Sequence, residues 1–112
     1  MSNAIARRLE TMLKTADIKS IDVANILQVR PETVSRWNQG KAFPRLEHQQ
    51  LILELAFITE QLADFYEPRE ARLWLLAPQK LLNGEKPVDL VTQGRSKDVM
   101  ATIDRLRESA YL

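Results

Sequence analysis

Apolar residues recur at steps of three and four along almost the whole of this chain, and this spacing constrains its fold more than any other feature. Between residues 46 and 66, for example, Leu51, Leu55, Ile58, Leu62 and Phe65 alternate steps of four and three. This is the period of an α-helix, whereas a strand alternates at every second residue. Only three glycines and five prolines interrupt the pattern. We therefore predict an all-α fold in which the helix at 46–66 is central and is contacted from several sides.

Proline, glycine and serine residues predict where the helices begin and end. Pro31 suits a first helical position, because its fixed φ is helical and the N–H it lacks would have no intrahelical partner there. Gly40 suits the position after a helix, where the backbone often turns left-handed. Ser20 and Ser96 are predicted as N-caps. The expected helices span 4–14, 20–27, 31–39, 46–66 and 68–76, with one from 87 that stops at 94 and one from 96 onward.

The side-chain inventory argues against an enzyme. The 112 residues include no cysteine and a single histidine, His48, which lies in a polar stretch at the start of the central helix. A thiolate metal site and a cysteine nucleophile are therefore excluded. The three glycines are isolated and form no phosphate-binding loop. Glu67 and Glu70 are expected to serve a helix start rather than acid–base chemistry, and Trp37 and Trp74 to anchor the core. We expect no catalytic residue, no metal and no cofactor.

The sequence also predicts no association with a membrane. The longest strongly apolar run, Leu51–Ile58, has eight residues and includes Glu54, whereas a spanning helix needs about 20. No apolar run follows Arg7 and Arg8, as a signal peptide would require. The absence of cysteine suits a reducing compartment, so we expect a cytoplasmic protein.

Residues 20–39 predict a helix-turn-helix. Apolar side chains suited to a helix crossing are present, and Ala24 provides the small residue where the two backbones approach. In DNA-binding proteins of this type the second helix enters the major groove and reads bases near its N-terminus. Hydroxyl and guanidinium groups can bond base edges there, while other cations bind phosphates. The candidate DNA contacts are Arg30, Thr33, Ser35, Arg36, Gln39 and Lys41. The alternative is a helix-turn-helix that serves only in packing.

The net charge of +1 conceals an asymmetry along the chain. Residues 1–45 carry eight cations and four anions, a net +4, whereas residues 46–112 carry eight cations and eleven anions, a net −3. Chance could produce so small an imbalance, but it also suits a basic surface for nucleic acid beside a second surface for another partner. We predict a DNA-binding region at 1–45 and a second region at 46–112 that begins with the central helix.

Two stretches of the sequence resemble a known family. The run from Thr33 to Trp37, followed by Gly40 and Pro44, resembles the Xre type of helix-turn-helix, although Gln28 stands where many such motifs have glycine. Residues 71–78, 81–84 and 86–91, and a last helix ending in Tyr111-Leu112, are similar in order to the C-terminal toxin-binding domain of the Xre/MbcA/ParS family of antitoxins. The ordered match covers roughly residues 4–112, with the MbcA branch most alike.

The resemblance implies an antitoxin of a type II toxin–antitoxin system. Its partner would be a RES-domain toxin that consumes or transfers from NAD, and the antitoxin would cover the toxin's active-site cleft with its C-terminal helix and tail. Operator DNA would be a further partner, with assembly as a hetero-oligomer with toxin and as a homodimer. The residues carried over to the cleft are Arg105, Glu108, Ser109, Ala110, Tyr111 and Leu112.

Two alternatives remain open. The chain could be a stand-alone Xre-type transcriptional repressor whose C-terminal half only dimerises. Tyr111 and Leu112 could also be a packed or frayed chain end, as termini commonly are.

Overall fold

The computed structural model describes residues 3–110, which form seven α-helices and one short 3-10 turn. The elements are α1 (Ala4–Ala16), α2 (Ser20–Leu27), α3 (Pro31–Asn38), α4 (Leu46–Leu62), α5 (Pro68–Leu76), the 3-10 turn (Lys80–Leu82), α6 (Pro87–Thr92) and α7 (Ser96–Ala110). An isolated antiparallel bridge joins Gln79 to Glu85, and no β-strand occurs within residues 3–110. The all-α prediction is confirmed.

The prolines mark helix starts as predicted, but the central helix is shorter than its apolar pattern suggests. Pro31, Pro68 and Pro87 are the first residues of α3, α5 and α6. Helix α4 ends at Leu62 rather than residue 66, because the next amides form tighter turn bonds, such as the one from Phe65 N–H to the Leu62 carbonyl at 3.1 Å. The chain must then become extended before Pro68, since proline disfavours a helical residue in front of it.

Both predicted serine N-caps are wrong. The N-cap of α2 is Lys19, whose backbone N–H donates to the Asp22 carboxylate at 2.8 Å. Ser20 is the first helical residue, and its hydroxyl oxygen accepts a hydrogen bond from the Asn38 side chain at 3.1 Å. Ser96 is likewise the first residue of α7, and its hydroxyl donates to the Glu54 carboxylate at 3.3 Å. Partners on neighbouring helices therefore decide what these two hydroxyls bond.

Helix α4 lies at the centre of the molecule, as predicted. It packs along α1 and also contacts α6 and α7, while α1 in addition contacts α3 and α5. Trp37 and Trp74 are buried, which confirms both as core anchors. The largest fully buried side chains include Met12, Ile52, Leu55, Ile58, Leu62, Leu75 and Ile103. One hydrophobic cluster contains residues from both sides of residue 45. The division into functional regions at 1–45 and 46–112 therefore stays a prediction.

Part of α4 nevertheless faces solvent. Leu53 is 44% exposed and Phe57 is 52% exposed, beside the half-buried Met100 of α7. The 3.6-residue period identified the buried stripe of α4 correctly. It could not show that these two apolar side chains lie outside the stripe that the other helices cover.

Candidate functional site

The segment for which a helix-turn-helix is predicted consists of α2 and α3, joined by Gln28, Val29 and Arg30. Gln28 adopts left-handed backbone angles, φ 57° and ψ 46°, which end α2. The Val29 N–H then bonds the Ala24 carbonyl at 2.9 Å. Arg30 is extended, as a residue before proline prefers, and Pro31 begins α3. The turn therefore forms with glutamine at the position where many such motifs have glycine.

Helix α3 is held from one side and exposed on the other. Val34 is fully buried and Trp37 nearly so, which fixes the rotation of the helix against the core. Five of the six predicted DNA contacts are exposed: Arg30, Ser35, Arg36, Gln39 and Lys41. The Gln39 side-chain amide donates to the Ser35 hydroxyl at 3.3 Å, which pairs two of them along the helix. Three cations and two polar side chains thus lie in or beside one short solvent-facing segment, together with the exposed carboxylate of Glu32.

Thr33 differs from the other predicted DNA contacts because it is half-buried. It lies in a groove of about 570 Å³ between α3 and the start of α4, whose lining includes Trp37, Phe43 and His48. The His48 ring lies 5.9 Å from the Trp37 ring, tilted by 50°. Burial, and secondarily the Arg45 charge, lowers the His48 pKa, which favours the neutral imidazole. His48 therefore packs against the core instead of being a fully solvated side chain.

An ion pair fixes α2 relative to α5. The Arg72 guanidinium donates to both oxygens of the Asp22 carboxylate, with Nη2 3.0 Å from Oδ1, and to the Asp17 carbonyl at 2.9 Å. Asp17 is the left-handed residue that ends α1. The hydrogen bonds from Arg72 hold the Asp22 pKa below its usual value, although partial burial opposes the shift. The same pairing raises the Arg72 pKa. One guanidinium thus joins α5 to α2 and to the end of α1.

The second predicted site lies on the last turns of α7. Val99 and Ile103 are fully buried and Leu106 is half-buried, so one face of the helix packs on the body of the protein. The predicted toxin contacts Arg105, Glu108, Ser109 and Ala110 are all exposed. Tyr111 and Leu112, which were assigned to the same site, lie outside the described residues.

Arg105 borders a polar groove formed by α7, α6 and the 3-10 turn. The groove has a volume of about 280 Å³, and Asn83, Arg95 and Asp98 also line it. Arg95 forms ion pairs with Glu85 at 3.3 Å and with Asp98 at 2.9 Å. Much of the charge around Arg105 is therefore paired within the groove.

Arg107 holds the end of α7 against the end of α4. Its Nη2 donates to the Gln61 side-chain oxygen at 2.8 Å and lies 3.2 Å from an Asp64 carboxylate oxygen. Its Nη1 lies 3.5 Å from an Asp104 oxygen on its own helix. Sequence reasoning missed both this contact and the Asp22–Arg72 pair, since no local pattern joins residues more than 40 positions apart. Asp22 alone carried a signal, as an acidic residue near a helix start.

Residues 3–110 contain neither a candidate metal-binding cluster nor a helix that could span a membrane. No group of three or more His, Cys, Asp or Glu side chains in this part of the chain could hold a metal ion. None of its helices combines the length and the apolar content needed to cross a bilayer. The paired acids Glu67 and Glu70 serve the start of α5, where the Glu67 N–H donates to the Glu70 carboxylate at 2.8 Å.

Comparison with known proteins places the chain in a family. No family model matches it. The mycobacterial cidal antitoxin MbcA of Mycobacterium tuberculosis is 29% identical over 110 residues, which cover 98% of this chain and 97% of MbcA. A probable mycobacterial cidal antitoxin of the same organism is 31% identical over 107 residues, covering 96% of this chain and 91% of that protein.

A solved structure agrees with this match. A chain in the crystal structure of the M. tuberculosis MbcT–MbcA toxin–antitoxin complex superposes with a TM-score of 0.83 and 29% sequence identity, covering 99% of this chain and 100% of that chain. The likeness to MbcA inferred from the sequence is confirmed, and the chain belongs to the family of the MbcA antitoxins.

Proposed function

We propose that this protein is the antitoxin of a type II pair and neutralises a RES-type, NAD-consuming toxin by covering its active site with the end of α7 and the residues that follow. The observation that carries the proposal is the last turn of α7, where Glu108, Ser109 and Ala110 are exposed, whereas the earlier turns pack on the body of the protein through Val99 and Ile103. Membership of an antitoxin family supports the same role.

Inhibition of this kind is steric and involves no turnover. A packed helix presents its terminal segment at small entropic cost, because most of the element is already ordered before it binds. An aromatic residue followed by an aliphatic one, Tyr111-Leu112, suits an apolar nucleotide slot.

Deletion of Glu108–Leu112 tests the proposal. We expect the shortened protein to lose protection of cells that co-express the cognate toxin, while its thermal unfolding stays close to that of the full chain, because the described residues removed are exposed. A matched control is Lys97→Ala, an exposed residue in the first turn of α7, which should leave protection intact. Full protection by the shortened protein would refute the blocking mechanism.

We further propose that α3 binds operator DNA, so that the antitoxin represses its own operon. Arg36, Ser35 and Gln39 form an exposed polar row on α3, while Val34 and Trp37 hold the opposite face on the core. Arg30 and Lys41 add positive charge at the two ends of the helix, where phosphates would lie. Two copies, as a homodimer or within a hetero-oligomer with toxin, would present two such helices to a two-fold operator.

The double variant Arg36→Ala/Lys41→Ala tests DNA binding on a duplex that covers the protein's own promoter. If Lys41 contacts one phosphate and Arg36 a base edge, the slope of log affinity against log salt should fall by about 0.9 in magnitude, and affinity should be lower at every salt concentration. Lys80→Ala/Lys86→Ala removes the same charge from two exposed lysines of the C-terminal half and should change the slope little. Equal slopes for the wild type and the α3 variant would refute the model.

The same variants separate this proposal from a stand-alone repressor. A repressor with no toxin partner would retain its whole function after deletion of Glu108–Leu112 and lose it in the α3 variant. An antitoxin should lose protection against the toxin after the deletion and keep it in the Arg36→Ala/Lys41→Ala variant.

A further inference from the structure

The Arg107 side chain connects the end of α7 to the end of α4 by hydrogen bonds. Its Nη2 contacts two groups of Gln61, the side-chain oxygen at 2.8 Å and the backbone carbonyl at 3.4 Å, and an Asp64 oxygen at 3.2 Å. The Arg107 side chain is 29% exposed, against 57% for Asp64. A cation at this position also complements the negative end of α4, where the last carbonyls lack intrahelical partners.

Arg107 is the final described residue of α7 for which a polar side-chain contact to another helix is observed. Ile103 is the last fully buried residue of the helix and Leu106 is half-buried. Glu108, Ser109 and Ala110 are exposed. Because helix ends fray when little holds them, the direction of the last turn depends strongly on the final contact with the body of the protein.

We propose that Arg107 is a positioning residue that sets the direction of the last turn of α7, Glu108–Ala110, from which the rest of the segment Glu108–Leu112 continues. Both of its Nη atoms contact groups of this protein, on Gln61, Asp64 and Asp104, and its Nε is buried without a partner. It therefore acts through the segment that follows instead of reaching the toxin itself. Holding that segment in one orientation lowers the entropy lost when it enters a cleft. This inference rests on the proposed function, in which that segment blocks the toxin.

Toxin affinity of Arg107→Met, measured by titration calorimetry or surface plasmon resonance with the cognate toxin, is the primary test. We expect affinity to fall about tenfold, the loss produced by roughly one or two newly disordered side chains at an interface. The control Lys97→Met removes the same charge from an exposed position in the first turn of α7 and should keep wild-type affinity.

The acceptors at the end of α4, Gln61 and the nearby Asp64, distinguish positioning from direct contact. Gln61→Ala/Asp64→Ala removes the partners of Arg107 without altering α7, and should weaken toxin binding as much as Arg107→Met does. Combining Arg107→Met with Gln61→Ala/Asp64→Ala should lower toxin affinity no further, since both remove the same hydrogen bonds. In the protein shortened by deletion of Glu108–Leu112, Arg107→Met should leave any residual toxin affinity unchanged.

Each outcome bears on one claim. Wild-type toxin affinity in Arg107→Met overturns the inference. Reduced affinity in Arg107→Met together with wild-type affinity in Gln61→Ala/Asp64→Ala also overturns it, because Arg107 would then contact the toxin directly. If deletion of Glu108–Leu112 itself leaves protection intact, the blocking function fails first. If that deletion abolishes protection while Arg107→Met binds normally, only the positioning role is wrong.

Discussion

The ion pair between Asp22 and Arg72 joins α2 to α5, and its loss should destabilise the whole fold. In Asp22→Asn the negative charge is removed, but the side-chain oxygen can still accept the Lys19 N–H that starts α2. Arg72 keeps its hydrogen bond to the Asp17 carbonyl. It loses the charged carboxylate that both of its Nη atoms contact. The substitution therefore tests the ion pair more than the helix cap.

The degree of burial sets the expected magnitude. The Asp22 side chain is 12% exposed and that of Arg72 is 30% exposed, so the pair is neither a surface pair nor a fully buried one. Exposed pairs contribute about 0–1 kcal/mol, and removing one partner of a buried pair costs about 3–5 kcal/mol. We expect a loss of about 2 kcal/mol, between these limits. For a chain of this length that corresponds to a decrease in Tm of about 8 °C.

Urea and thermal unfolding of Asp22→Asn, Arg72→Gln and the double variant measure the interaction. The double-mutant cycle should give a coupling free energy of about 1–2 kcal/mol. Glu10→Gln is a suitable control, because it breaks the exposed pair of Glu10 with Lys14, at 2.9 Å, on α1 and should shift Tm far less. A coupling energy near zero would refute the argument that this pair holds the two helices together.

The pH dependence provides a second measurement of the same pair. Arg72 holds the folded-state pKa of Asp22 below its ordinary value, so the stabilisation is fully present above that ordinary value. It is lost as pH falls from about 4 through the lower folded-state pKa. The stability difference between the wild type and Asp22→Asn should be constant from about pH 5 to 7 and shrink below about pH 4. A difference that persists unchanged at low pH would contradict this assignment.

Two further predictions concern the backbone and the core. Gln28→Gly should stabilise the fold by about 0.5–1 kcal/mol in urea unfolding, because φ is 57° there and glycine adopts left-handed angles without strain; Gln39→Gly, at a right-handed position, should not stabilise it. Leu62→Ala, at a fully buried site, should cost about 2–5 kcal/mol, and Leu53→Ala, 44% exposed, clearly less. A stabilising Gln39→Gly, or equal losses at the two leucines, would contradict these assignments.

Local patterns predicted the secondary structure well because their physical causes are local. Pro31 begins α3 as expected, and Gly40 follows its end with φ 72°. The exposed face of α3 followed from the same reasoning, since burial of Val34 and Trp37 leaves Ser35, Arg36 and Gln39 outside. The failures arose where a distant group competes for a side chain, as at Ser96, whose hydroxyl donates to Glu54 on α4.

The DNA and toxin contacts assigned from the sequence remain predictions. The structure places Arg36 and Lys41 on the surface, and it places Glu108 and Ser109 at an exposed helix end. Exposure is necessary for either role, but recognition depends on the shape and charge of a partner. The variants described above test those assignments residue by residue.

The sequence by itself determined the all-α class, the number and order of the helices, and the family to which the chain belongs. Periodicity, helix-breaking residues and the order of motifs are all properties of the linear sequence. Only the tertiary structure decided that Arg72 pairs with Asp22, that Arg107 reaches the end of α4, and that Phe57 faces solvent. These contacts join residues far apart along the chain, and the packing angles of the helices, which no local pattern specifies, decide which side chains meet.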